Sequence, residues 1–242
     1  MAFLPTTRKE MIELGWREAD FVFVTGDAYV DHPSFGTAIL SRLLESKGYK
    51  VCIVAQPDFN SDIDISRFGK PRLAFLVNAG VIDSMVAHYT AAKKKRSDDA
   101  YTPGGKAGKR PDRAVTVYSN LIKKYFPDSI VIIGGLEASL RRFAHYDYWK
   151  NTVMPSVLFD SKADIISYGM GELQTIEMAK RLSEGYPVEA LYDIRGICYA
   201  VKTSDYVPKT VVELPSYERV CESKKDYAIA ARKELEEADA VR

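Results

Sequence analysis

The 242-residue chain has few residues of the kinds that hold metals. It contains three cysteines, Cys52, Cys198 and Cys221, and three histidines, His32, His88 and His145, all widely separated. No CxxC or CxxxCxxC spacing occurs, which excludes a local motif for zinc or an iron–sulfur cluster. Apolar runs fall well short of the roughly 20 residues that a membrane helix needs, which excludes a helical membrane span. The segment Met1 to Glu10 lacks a basic stretch followed by an apolar core, so it does not read as a signal peptide and a cytoplasmic location is expected. Net charge is also nearly absent, at +1, which gives the protein as a whole no attraction to polyanions.

What charge there is lies concentrated. Residues 93–113 hold eight Lys and Arg against three Asp, a local +5, so the rest of the chain carries −4. With little to bury, this segment is expected to be a weakly ordered surface loop, available to a partner or an anion through Lys106, Lys109, Arg110 and Arg113. A phosphate cradle of Walker A type fails on spacing: Pro103 stands where the first glycine belongs, and Arg110 replaces the magnesium-binding hydroxyl residue. A nucleic-acid module is the alternative reading, with Lys93, Lys94, Lys95 and Arg96 joining those residues on phosphates and Tyr101 stacking on a base.

The remaining 46% hydrophobic, 28% charged composition is that of a globular protein. Short apolar runs predict strands at Phe21 to Val24, Val51 to Ala55, Leu73 to Val77, Ile130 to Ile133, Ile165 to Tyr168 and Ile197 to Val201. Amphipathic segments between them predict helices at Phe35 to Lys47, Ala114 to Phe126 and Leu173 to Glu184. Cys52 and Cys198 lie within strand runs and are expected to be buried small hydrophobes. Alternating continuous strands and helices imply an α/β fold, a doubly wound, mostly parallel Rossmann-like sheet over residues 1–201. Residues 202–242 read as an extended segment containing Pro208, then one charged helix from Tyr217 to Ala240.

In such a sheet ligands sit beyond the carboxyl ends of the strands, so the loops there supply the candidate cofactor- or substrate-binding residues. After the first strand these are Gly26, Asp27, Tyr29, His32 and Ser34, with Ser34 placed to cap the following helix. After the fourth they are Gly134, Gly135 and Glu137, with Glu137 and Arg141 spaced to pair on one helix face. Gly171 follows the fifth strand. The run Gly169-Met170-Gly171 opens like a dinucleotide fingerprint but lies late in the domain and has Gln174 at the third glycine, so it reads as a helix-entry turn.

Several long runs together resemble one family. Phe3-Leu4-Pro5-Thr6-Thr7, Gly26 through Gly36, the loop Ser97 to Arg113, Gly134-Gly135-Leu136-Glu137-Ala138-Ser139-Leu140-Arg141-Arg142 and His145-Tyr146-Asp147-Tyr148-Trp149 resemble the YgiQ family of radical S-adenosylmethionine proteins, in their N-terminal region. The resemblance implies a Rossmann-like domain, similar to cobalamin-binding domains, ahead of a partial barrel. That barrel would hold a [4Fe-4S] cluster through CxxxCxxC and cleave S-adenosylmethionine to a 5′-deoxyadenosyl radical. The present chain has no such motif, so the expectation is a domain that shapes a substrate or cofactor pocket without carrying the cluster, with residues 202–242 leading toward a barrel in cis. Binding a corrinoid or nucleotide by itself is a further alternative. For cobalamin, the base-off motif DxHxxG is not reproduced, because Asp31 directly precedes His32 and Gly36 lies four residues beyond it.

Overall fold

The structure is a computed structural model that describes residues 3–202 and 211–237. Its elements run α1 (Arg8–Glu13), β1 (Phe21–Thr25), α2 (Gly36–Ser46), β2 (Val51–Ala55), β3 (Ala74–Asn78), α3 (Ser84–His88), α4 (Ala114–Tyr125), β4 (Val131–Gly134) and α5 (Gly135–Leu140). They continue with β5 (His145–Asp147), β6 (Thr152–Met154), α6 (Val157–Ser161), β7 (Ile165–Ser167), α7 (Glu172–Ser183), β8 (Ile197–Cys198), α8 (Tyr217–Glu222) and α9 (Lys224–Glu237).

Six strands form one sheet in the order β2-β1-β3-β4-β7-β8. All neighbours pair in parallel except β8, which runs antiparallel to β7. The sheet is covered on both sides, as continuous apolar strands require. Alternate residues point to opposite faces. Val22, Val24, Phe75, Val77, Val131 and Ile133 pack with Ala114, Val115, Tyr118 and Ile122 of α4. Phe21, Phe23, Val51, Ile53, Leu76 and Ile132 pack with Leu44 of α2 and with Met178, Ala179 and Leu182 of α7. Leu44 is wholly buried, and side chains of this kind contribute about 1.5–3 kcal/mol each.

The two outermost strands of the parallel part, β2 and β7, each have a neighbour on their outer side. Beside β2, the Ile53 amide donates to the Pro5 carbonyl at 2.8 Å, Leu4 is buried, and Arg67 Nη1 donates to the Thr6 carbonyl at 2.8 Å. Beside β7 lies the short β8.

The chain forms two compact units: Met1–Arg142 with Val157–Ala200, and Phe143–Ser156 with Val201–Arg242. In the second, β5 and β6 make an antiparallel hairpin, with Tyr146 against Val153. The Tyr146 amide donates to the Tyr227 hydroxyl at 3.1 Å, and the Tyr217 hydroxyl donates to the Val153 carbonyl at 3.3 Å.

Several expectations change. The single helix from Tyr217 to Ala240 is broken at Ser223, whose hydroxyl accepts from the Asp226 amide at 3.2 Å and so starts α9 afresh. Cys52 is buried as expected, with its thiol pushed up to about 12 by burial, whereas Cys198 is only half-buried because β8 is an edge strand of two residues. The extended segment around Pro208 lies outside the described residues.

Candidate functional site

The order β2-β1-β3 reverses direction between β1 and β3, and the loops leaving the carboxyl ends of β1, β3, β4 and β7 part around a crevice of about 260 Å³. Four loops wall it. After β1 come Asp27 and Ser34 to Thr37; after β3, Gly80 and Val81; after β4, Gly135 and Leu136; after β7, Gly169 to Glu172. The floor is apolar, from Phe23, Leu76 and Ile132, and Leu40 lines one side. Asn78, Ser167 and Thr175 add polar groups. No Lys or Arg among the described residues lines the crevice.

The wall near β1 and β3 is tied down by charge. Arg110 is 1% exposed. Its guanidinium donates to both Asp99 oxygens at 3.0 Å, meets Asp27 Oδ1 at 2.9 Å and donates to the Ala79 carbonyl at 2.7 Å. Asp27 Oδ2 also accepts from the Val81 amide at 2.6 Å. Burial holds the Asp27 carboxyl above its ordinary range despite Arg110, the neighbouring Asp99 adding to the rise. A Cβ on Gly80 would overlap this carboxylate, and one on Gly26 would overlap the Ala79 carbonyl, so both glycines are there to let groups close. The Ala28 amide donates to the Tyr101 carbonyl at 2.9 Å, and Gln56 Nε2 donates to Thr102 Oγ1 at 2.6 Å.

These contacts correct the expected character of the basic segment. Asp99, Thr102 and Arg110 are buried, and the loop is packed against the β1 exit, because its positive charge is partly internal and matched by carboxylates. Arg110 therefore faces no external anion. Tyr101 is engaged too, set edge-on to Phe35 at 6.4 Å with Arg110 6.0 Å from its ring. Lys106 and Lys109 remain exposed, and Arg113 takes the left-handed conformation (φ 55°) that opens α4.

Of the sequence candidates, Asp27, Ser34, Gly134, Gly135 and Gly171 line the crevice; Gly26, Tyr29, His32 and Glu137 do not. Ser34 does not cap α2: the capping position is Phe35, which offers no side-chain bond. Tyr29 packs beside Phe3 with ring centroids 6.3 Å apart. Glu137 is 2% exposed and accepts from the Ser84 amide (2.8 Å), the Ser84 hydroxyl (2.5 Å) and the Val115 amide (2.9 Å), joining α5 to α3 and α4. Burial raises its pKa, and Asp83 adds to the rise. Arg141, expected to pair with Glu137, bonds the Asp83 carboxylate and the Glu137 backbone carbonyl. Asn78, Ser167 and Thr175 were missed because each lies within or just past a run that reads as plain strand or helix.

The chain is 56% identical over 230 residues to a UPF0313 protein of Thermotoga neapolitana, covering 95% of this chain and 40% of that one. A UPF0313 protein of Clostridium botulinum strain Okra is 52% identical over 242 residues, 100% of this chain and 38% of its own length. The chain thus spans about two fifths of these relatives. Among solved structures, the radical S-adenosylmethionine methyltransferase TsrM of Kitasatospora setae, with cobalamin and a [4Fe-4S] cluster bound, aligns at 16% identity and a TM-score of 0.48, over 76% of this chain and 28% of that one.

The residues here do not fit a cluster. Cys52 is buried in β2, Cys198 is on β8 and Cys221 is exposed in α8, and no group of three metal-ligating side chains occurs among the described residues. Nor does His32 fit cobalt. Its Nδ1 accepts from the Ser34 amide at 3.1 Å, so the neutral ring carries its proton on Nε2 and has no lone pair left. Residues 3–242 match the radical SAM N-terminal family from end to end, and the chain belongs to that family.

Proposed function

We propose that this chain serves a radical S-adenosylmethionine enzyme as the domain that shapes a substrate or cofactor pocket, and that the [4Fe-4S] cluster and the S-adenosylmethionine it cleaves are held by a barrel domain in cis. The observation that supports this most is the crevice itself. Four strand-end loops surround one apolar floor at the topological switch point, where open α/β sheets bind ligands. The chain's part is to bind and orient. Asn78 has its carbonyl held by the Thr25 hydroxyl at 2.7 Å and by the Gly80 amide at 2.9 Å, while its amide donates to Thr37 at 2.9 Å, so the β1 and β3 walls are joined through one side chain. Asp27, Arg110 and Asp99 tie the same two walls by charge. When bound, the cluster would supply the electron for cleaving S-adenosylmethionine; nothing in this chain's residues stands in for it.

Reconstitution with iron and sulfide tests the division of labour. The 242-residue chain alone is expected to give no iron–sulfur absorption band, and a band would overturn the reading. In a full-length relative, the change matching Leu40→Trp fills the crevice. The cluster band should persist while substrate-triggered formation of 5′-deoxyadenosine is lost; unchanged turnover would show that the crevice is not the pocket.

A further inference from the structure

We infer that the crevice takes an uncharged planar ring, of the class of a nucleobase or a similar fused heteroaromatic, and disfavours the phosphates that this place in an α/β sheet often binds. The inference rests on reading the crevice as a ligand pocket. Charge is the first argument. Glu172 and Asp27 line the space, and no Lys or Arg among the described residues does. Arg110, which meets Asp27, is already shared between two carboxylates, Asp27 and Asp99, so the cluster carries a surplus negative charge. A phosphate entering here would have only the partial positive ends of α2 and α7 in its favour. Against it would stand full charges of its own sign, in a site where apolar walls weaken screening.

Shape is the second argument. Gly36 and Gly169 line the crevice without a side chain, so at these two positions its wall is backbone. Leu40, Met170 and Leu136 also line the crevice, and its floor is apolar. Flat peptide and aliphatic surfaces suit a ring face. The volume of about 260 Å³ equals ~9 waters at liquid density, enough for a fused bicyclic ring.

Hydrogen bonding is the third. The Ser167 hydroxyl has no partner among the described residues, and Thr175, 5% exposed, brings its hydroxyl to the same place: a Cβ on Gly171 would lie 3.6 Å from one and 3.7 Å from the other. Hydroxyls donate or accept as required, which matches the mixed edge of a heteroaromatic ring. The first amides of α2 carry no side-chain cap and add donors.

Calorimetric titration of the 242-residue chain with adenine, adenosine, indole and ATP decides the matter. At least one uncharged ring is expected to bind, with ATP at least tenfold weaker than adenosine at low salt and the gap narrowing as salt rises. Leu40→Trp should abolish binding. The Ser167→Ala, Thr175→Val double variant should lower affinity about tenfold while unfolding like the parent, which keeps the test open if the tryptophan disturbs folding. ATP binding as tightly as adenosine would overturn the inference and leave the pocket reading intact. It would equally fall if none of the three uncharged rings binds, or if they bind the filled variant unchanged. The pocket reading itself is judged separately, by the turnover of the full-length enzyme.

Discussion

Two sides of the crevice use glycine in opposite ways. On the β1 and β3 side, Gly26 and Gly80 are filled places: a side chain at either would run into the Ala79 carbonyl or the Asp27 carboxylate. On the β7 side, Gly169 faces empty space, and Gly36 at the start of α2 does the same. The first wall is closed and ionic, with Arg110 almost fully buried. The second is open and apolar, with Met170 and Leu173 each 81% exposed. One wall is therefore part of the folded core, whereas the other is available to whatever the crevice receives.

Arg110→Met should break the contrast most severely. It leaves two carboxylates buried without a cation, and urea unfolding should show a loss of about 3–5 kcal/mol. A loss under ~1 kcal/mol would mean that the closed wall is not held by charge. Glu137→Gln comes next, at about 1–3 kcal/mol, because Ser84 and Val115 donate to different oxygens and the amide nitrogen that replaces one of them cannot accept. Its pH dependence carries a sign. The folded Glu137 pKa lies above the ordinary 4.5, so its contribution is complete below that value and is lost as pH rises through the raised one. The stability difference between parent and Glu137→Gln should accordingly shrink as pH rises from ~4.5; a difference that grows would refute the assignment.

Smaller effects separate strain from space. Gly169→Ala should cost about 1 kcal/mol, from its positive φ of 73° and not from crowding. Gly36→Ala, which meets no neighbour and needs no such φ, should change stability by less than ~1 kcal/mol. If Gly36→Ala proved as harmful as Gly80→Ala, the distinction between filled and empty glycines would fail. Thermal melts of the set are enough to rank them.

The parallel sheet was legible because its strands are unbroken apolar runs, and burial on both faces demands that pattern. α1 went unread although Thr7-x-x-Glu10 marks its start: the Thr7 hydroxyl accepts from the Glu10 amide at 3.3 Å, and Glu10 returns a carboxylate to the Thr7 amide at 2.9 Å. Arg110 was misread because a basic run looks solvated from composition alone. Its partners, Asp27 and Asp99, lie 83 and 11 residues before it, and nothing local marks that pairing. The β5–β6 hairpin escaped for a similar reason: its strands are three residues each and rich in polar and aromatic side chains, with no alternating run to betray them. Glu137 was noticed, but as a ligand contact; only the fold shows that its oxygens are already occupied by Ser84 and Val115.

The segment Leu4 to Thr6, bonded along β2 through the Pro5 carbonyl, has a consequence for handling the protein. A parallel sheet whose outermost strand lies bare offers its free backbone groups to any extended peptide, including a second copy of itself. Here the opposite end is occupied by β8, so the N-terminal segment is what screens β2. Deleting residues 3–7 would remove little of the core yet convert β2 into a template for strand addition, and a soluble preparation into one prone to self-association.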